Sequence, residues 1–229
     1  MTFEPPERFN IADHLLDARI REGRGSRVAL VTDQRTWSYR DVQGMANRYG
    51  NLLREAGVMP EQRVIIALPD GPEFVAALFG ILKIGAVVVM VNPDLKPDAL
   101  SYFYQYTRAR AAFVHRDNRD DFETARADAP LLGELMVAGS ETLERRLEAQ
   151  SLELDTFPSH RDDACIWLFS GGTTGHPKAV LQSHWSFAHT TAAYGQGVLG
   201  ITEDDVTISV PKLFFGYAMG TNLFFPFSV

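Results

Sequence analysis

The chain has 229 residues, a formal net charge of −7, one cysteine, and 45% hydrophobic against 22% charged residues. That balance fits a globular protein of one large or two small domains, and the acidic surplus argues against a general nucleic-acid binder. Cys165 has no second cysteine to pair with, and its place in an apolar run reads as a buried core thiol rather than a nucleophile.

Near the start, Glu4, Pro5, Pro6, Glu7 and Arg8 leave no room for an apolar core, so no secretory leader is expected and the protein is read as cytoplasmic. Residues 28–32 and 36–39 read as a hairpin around the polar turn Asp33-Gln34-Arg35. Ser38 and Asp41 then have the spacing of a helix-start box. Val42, Met45, Ala46, Tyr49, Leu52, Leu53 and Ala56 follow on one helical face, closed by Gly57 and Pro60.

Continuous apolar runs at 64–68 and 86–91 have the pattern of strands buried on both faces. The helix expected between them, 73–84, makes a βαβ unit, for which a right-handed crossover is expected. Lys83 and the β-branched run after Gly85 argue against reading 74–91 as a membrane span. The alternation continues with helix 97–108, strand 111–115, helix 120–127, strand 135–137 and helix 141–150. Residues 151–163, with Pro158 and few apolar side chains, form the one candidate linker. Strands at 164–169 and 179–182, a helix from 184 to about 198, and a strand at 207–210 complete the reading. The expected fold class is α/β: βαβ-rich, with mostly parallel sheets and flanking helices.

One stretch concentrates the chemistry. Ser170-Gly171-Gly172-Thr173-Thr174-Gly175-His176-Pro177-Lys178 places glycines and hydroxyls directly after an apolar strand. Glycine lets backbone N–H groups turn inward and approach a ligand, such a row of donors binds anions, and Lys178 adds a mobile positive charge. It is not a Walker A loop, because His176-Pro177 separates Gly175 from the lysine and a strand rather than a helix follows. Composition alone also fits a Gly/Thr turn between two strands.

The full string resembles the phosphate-binding signature of the adenylate-forming superfamily, which includes acyl- and aryl-CoA ligases, luciferases and amino-acid-activating domains. The resemblance rests on Ser170, Gly172, Thr173, Thr174, Gly175, Pro177 and Lys178, and departs at Gly171 and Ala179, where the family usually has Ser and Gly. It extends along nearly the whole chain. Thr36-Trp37-Ser38-Tyr39 looks like the family's opening, and the apolar run to Val91 with Asn92-Pro93 looks like its first crossover. Lys212-Leu213-Phe214-Phe215-Gly216-Tyr217 is similar to benzoate-CoA and related aryl-CoA ligases.

What the resemblance implies is a two-step ligase that activates an aromatic carboxylic acid with MgATP and passes the acyl group to CoA. ATP, Mg2+ and CoA enter as co-substrates, and no protein metal ligand is assigned. Ser170, Gly171, Gly172, Thr173, Thr174, Gly175 and Lys178 would hold the phosphates, Lys178 also stabilising charge in the reaction. Phe214, Phe215 and Tyr217 would line the acid pocket. No acidic residue lies between Pro211 and Val229 to pair with a substrate ammonium, which favours an apolar acid over an amino acid. His184 is read as structural and His176 as solvent-facing.

The family's magnesium-binding acid, ribose-binding aspartate, hinge and lid lysine find no match here. Residues 1–229 are therefore read as a truncated N-terminal adenylation domain without its C-terminal lid, 151–163 marking a subdomain linker. The run Leu223-Phe224-Phe225-Pro226-Phe227-Ser228-Val229 has no polar tail, so the apolar end is expected to be exposed and to promote association. A non-catalytic nucleotide- or phosphate-binding module, an inactive fragment and a fatty-acyl-CoA ligase stand as alternatives. Oligomeric state is left open.

Overall fold

The computed structural model describes residues 3–171 and 175–229. Ahead of the hairpin, a helical segment, Asp13–Asp17, runs into α1 (Ala18–Arg21) and buries Ile11, Ala12, Leu15 and Leu16. Strands β1 (Val28–Val31) and β2 (Thr36–Ser38) pair antiparallel, as the turn residues between them predict. Ser38 starts α2 (Tyr39–Glu55) with the expected reciprocal box: Asp41 N–H donates to Ser38 Oγ (3.2 Å), and Ser38 N–H donates to the Asp41 carboxylate (2.8 Å). The Ser38 hydroxyl, donating to the Asp41 carboxylate (2.7 Å), and then the Ser38 N–H favour the ionised form and hold the Asp41 carboxyl below its ordinary range.

The main sheet has six strands in the order β6-β5-β3-β4-β7-β8. β3 (Arg63–Ala67), β4 (Val87–Met90), β5 (Ala111–His115), β6 (Glu134–Ala138) and β7 (Ala164–Ser170) run parallel, and β8 (Lys178–Ser183) closes one edge antiparallel. Between them come α3 (Pro72–Lys83), α4 (Pro97–Thr107), α5 (Arg119–Ala125) and α6 (Glu141–Glu148).

Alternate strand residues enter two separate cores. Val64, Ile66, Val88, Met90 and Phe113 pack with α2 and α3; Ile65, Ala67, Val89, Val91 and Val114 pack with α4 and α5. The central strands are therefore covered on both faces, which explains their unbroken apolar runs. It also places α3 and α4 on opposite faces, so the chain leaves the neighbouring strands β3 and β4 in opposite directions. A crevice at the carboxyl ends of the strands is the usual consequence of such a switch.

Residues 151–163 run along α2 and α3. Asn47 Nδ2 donates to the Leu152 carbonyl (2.7 Å), and Phe157 N–H donates to the Lys83 carbonyl (2.7 Å). After β8, Ser183 caps α7 (His184–Thr190), which continues as a wider helix over Thr191–Gln196.

Two expectations are corrected. Residues 207–210 form no strand: they are extended without a ladder partner, and Val206, Ile208 and Val210 are 85%, 96% and 93% exposed. Apolar alternation marks an extended chain, but a strand also needs a neighbour to pair with. The apolar end is not exposed either. Leu223, Phe224, Phe225 and Phe227 are buried, with the Phe227 ring 5.3 Å from Phe79 of α3 and the Phe224 ring 5.1 Å from Phe187 of α7.

Candidate functional site

The β7–β8 pair builds the base of the site. Ser170 and Lys178 face each other at the last rung of their antiparallel ladder, so the glycine-rich stretch is the loop that joins them. Ser170, Gly171, Gly175, His176 and Lys178 are exposed to solvent. Gly175 has φ of 95°, a left-handed conformation that a side chain would strain. Gly172, Thr173 and Thr174, also expected to bind phosphate, lie outside the described residues.

A cavity of about 430 Å3 opens beside this loop. Ser170, Gly171, Gly175, His176 and Pro177 form one wall, and Phe214 and Phe215 form another. Met90, Val91 and Asn92, at the end of β4, supply the floor, while Tyr102 and Phe103 of α4 close the third side. Asp98 also lines it, from the exposed first turn of α4. The cavity thus lies at the carboxyl ends of β4 and β7, one strand over from the switch between β3 and β4.

The aromatic segment is held there by two local contacts. Leu213 N–H donates to Asp70 Oδ1 (2.8 Å), in the loop that follows β3. Gly216, which opens α8 (Gly216–Met219), lies so close to β7 that a Cβ would stand 2.6 Å from Leu168 Cδ1. A larger residue would require Leu168 to change its side-chain conformation or the segment to move. The rings of Phe214 and Phe215 are tilted at 41° to one another with centres 4.4 Å apart.

Tyr217 is placed elsewhere. It is 73% exposed and lines a different cavity, with Val206, Ile208 and Pro211. Successive residues of a helix point about 100° apart, so a helix that begins at Gly216 turns Tyr217 away from Phe215.

His184 is not at the cavity. It is buried, its Nδ1 accepts the Ile11 N–H (3.1 Å), and burial pushes its imidazole down to about 4. It is neutral at physiological pH and fastens the N-terminal segment to α7. Cys165 is fully buried, and burial pushes its thiol far above the usual range, which suits packing and not nucleophilic attack. Among the described residues, no group of three His, Cys, Asp or Glu side chains is arranged to hold a metal ion, and no helix is long and apolar enough to cross a membrane.

A strand, a glycine-rich loop and a returning strand that carries a lysine, beside a partly aromatic cavity, suit an anionic ligand with an apolar group attached. The AMP-binding enzyme family matches residues 17–229. The chain belongs to that family. It is 34% identical over 228 residues to a benzoate–CoA ligase of Thauera aromatica, covering 98% of this chain and 43% of the relative. A 4-hydroxybenzoate–CoA/benzoate–CoA ligase of Rhodopseudomonas palustris is 31% identical, with 98% and 42% covered. Among solved structures, the anthranilate CoA ligase AuaEII in complex with anthranoyl-AMP superposes with a TM-score of 0.93 at 34% identity, over 98% of this chain and 43% of that one. A benzoate CoA ligase from Burkholderia xenovorans LB400 gives 0.86 at 30%, over 96% and 44%. The chain therefore spans less than half the length of these family members.

The glycine loop was legible as a string of residues. Asn92, Tyr102 and Phe103 were not, since only the fold brings them to the loop, and only the fold brings Asp70 to Leu213. Tyr102, Phe103 and Tyr106 do carry a signal of their own, an aromatic cluster at helical spacing on α4.

Proposed function

We propose that this chain supplies the phosphate loop and part of the acid pocket for AMP-forming activation of an aromatic carboxylic acid, with transfer of the acyl group to CoA. The observation that carries the reading is the single cavity shared by the glycine-rich loop and the Phe214–Phe215 pair. A phosphate held by the loop would then lie beside an apolar ring, which supports the reading.

In the first step a carboxylate oxygen bonds to the α-phosphorus of ATP while the bond to pyrophosphate breaks. The backbone N–H groups of the loop and the Lys178 ammonium face the β- and γ-phosphates and stabilise the charge that moves onto pyrophosphate. Magnesium arrives with the nucleotide and neutralises part of the same charge. The carboxylate is already ionised near neutral pH, so no general base is required. In the second step the CoA sulfur bonds to the acyl carbon and AMP leaves with the electrons of the broken mixed-anhydride bond. Phe214 and Phe215 offer apolar surface to the acid's ring.

A second reading, phosphate binding without turnover, needs only the glycine-rich loop and Lys178 at the β7–β8 rung. Exchange of labelled pyrophosphate into ATP, dependent on benzoate, separates the two. Exchange that disappears in Lys178→Ala supports adenylation, whereas pyrophosphate binding with no exchange for any acid supports the binding module.

A further inference from the structure

We propose that Tyr102 is a positioning residue for the phosphate loop: from α4 it clamps the loop's exit arm and fixes the backbone that presents Lys178. This rests on the reading of the loop as a phosphate site. The Tyr102 hydroxyl donates to the Pro177 carbonyl at 2.7 Å, the usual distance for a well-formed O–H···O bond. Its ring stacks on His176 with centres 4.8 Å apart and planes at 24°. One helical turn later, Tyr106 lies with its hydroxyl 3.5 Å from the Ala179 N–H. The helix therefore touches residues 176, 177 and 179 of the exit arm.

The entry arm is gripped by the same helix. Phe169, which precedes Ser170, meets Phe103 at 4.6 Å and Tyr106 at 5.9 Å between ring centres. Both arms of the loop thus rest on α4, with contacts on either side of the rung formed by Ser170 and Lys178.

The bond to Pro177 has a specific consequence. A peptide unit is planar, so the Pro177 carbonyl lies in one plane with the Lys178 nitrogen and Cα. Pinning that oxygen sets the plane, and with it the direction in which the Lys178 side chain leaves the backbone. Core packing does not by itself account for the contacts: Leu100, Phe103, Tyr104 and Thr107 bury the core face of α4, and Tyr102 is half-buried at the margin of that core with its hydroxyl bonded to the loop, while Tyr106 is 42% exposed. Tyr102 carries no charge for a phosphate. Its effect passes through Lys178.

The test compares Tyr102→Phe, which keeps the ring and loses the hydroxyl, with Tyr102→Leu and Lys178→Ala. Inorganic pyrophosphate is titrated into each chain and followed by phosphorus NMR, with hydrogen exchange and Tm measured on the same samples. Loss of one neutral hydrogen bond predicts roughly two- to tenfold weaker binding for Tyr102→Phe, and more for Tyr102→Leu. Faster exchange is expected in the peptide that spans 175–183, with Tm and the protection of β4 and β5 unchanged. Unchanged exchange at 175–183 overturns the clamp. Faster exchange with unchanged affinity, while Lys178→Ala still weakens binding, overturns the positioning role. A loss of affinity matched by lost protection in β4 and β5 makes Tyr102 a packing residue and overturns it too. If Lys178→Ala binds as well as the parent chain, the phosphate-loop reading fails, and the role of Tyr102 falls with it.

Discussion

Lys83 reaches Asp17 across 66 residues of sequence, Nζ to Oδ1 2.7 Å, where the lysine side chain is 1% exposed. The same carboxylate accepts from Gln43 Nε2 (2.7 Å) and from the Thr156 hydroxyl (2.8 Å). The N-terminal helix, α2, α3 and the 151–163 segment therefore meet at one buried charge pair, behind the strands that carry the site. A buried pair adds little over an apolar replacement, but breaking it leaves one charge without a partner. Asp17→Leu should lower stability by about 3–5 kcal/mol in urea denaturation, and Asp17→Leu with Lys83→Met should restore most of it. Equal losses in the single and double variants would show that the charge pair is not the cause.

Stability should fall in mild acid because of His184. Its folded pKa of about 4 lies below the ordinary 6.5, so the unfolded chain takes up the proton first as pH drops. The contribution is complete above 6.5, declines as pH falls towards 4, and changes no further below that. The difference corresponds to about 3 kcal/mol at most. Denaturation midpoints between pH 7 and 4 should show this slope, and His184→Asn should flatten it. An identical slope in the variant would assign it to other groups, His14 among them, since burial also lowers its imidazole.

Lys178 should matter to one half of the proposed reaction. Losing its charge-assisted contact removes roughly 1.5–3 kcal/mol, a ten- to hundredfold drop in adenylation rate. Thioester formation from preformed acyl-adenylate should change far less, because pyrophosphate has already left. Rates of the two halves, measured separately on Lys178→Ala, decide it; equal drops would remove the assigned role.

Benzoate-like acids should be activated faster than α-amino acids. Among the described residues, Asp98 is the acidic side chain on the cavity wall, and it sits on an exposed helical turn. Solvent-exposed ion pairs contribute about 0–1 kcal/mol, too little to hold an ammonium group against water. Pyrophosphate release measured over a panel of acids tests this, with Asp98→Asn as the control. Faster release with an amino acid, lost in Asp98→Asn, would reverse the assignment.

Self-association should arise from the 206–210 segment rather than from the C-terminal aromatics. Val206, Ile208 and Val210 face solvent together, whereas Leu223, Phe224 and Phe227 are in the core. Exposed apolar stripes of this kind favour contacts between molecules. Ile208→Lys should shift the sedimentation profile towards monomer without changing Tm. No shift would locate the contact elsewhere.

Local patterns explain what the sequence disclosed. The Ser38–Asp41 box, the βαβ alternation and the glycine loop are each written in consecutive or helically spaced residues. The helical segment at Asp13–Arg21 was not among the expected elements, although its buried positions 11, 12, 15 and 16 stand one turn apart. Long-range facts are not written locally. That Phe227 folds back onto Phe79, or that 206–210 finds no strand to pair with, depends on residues distant in sequence. The cavity draws its walls from 90–92, 98–103, 170–171, 175–177 and 214–215; the glycine loop and the Phe214–Phe215 pair are named by the sequence, and the segments from β4 and α4 are brought in by the fold.

The rung between Ser170 and Lys178 makes the loop a part of fixed gauge. Phe169 and Ala179 face α4 from neighbouring strands, and Leu168 and Val180 face away. Because side chains alternate, a slip of one residue along β8 would exchange the two sets and press Lys178 towards the aromatic helix. A deletion within 171–177 therefore cannot be absorbed by sliding the strand. Substitutions there can change what is bound, but an added or missing residue must be accommodated inside the loop itself, so the spacing between the strands is set by their own register before any phosphate arrives.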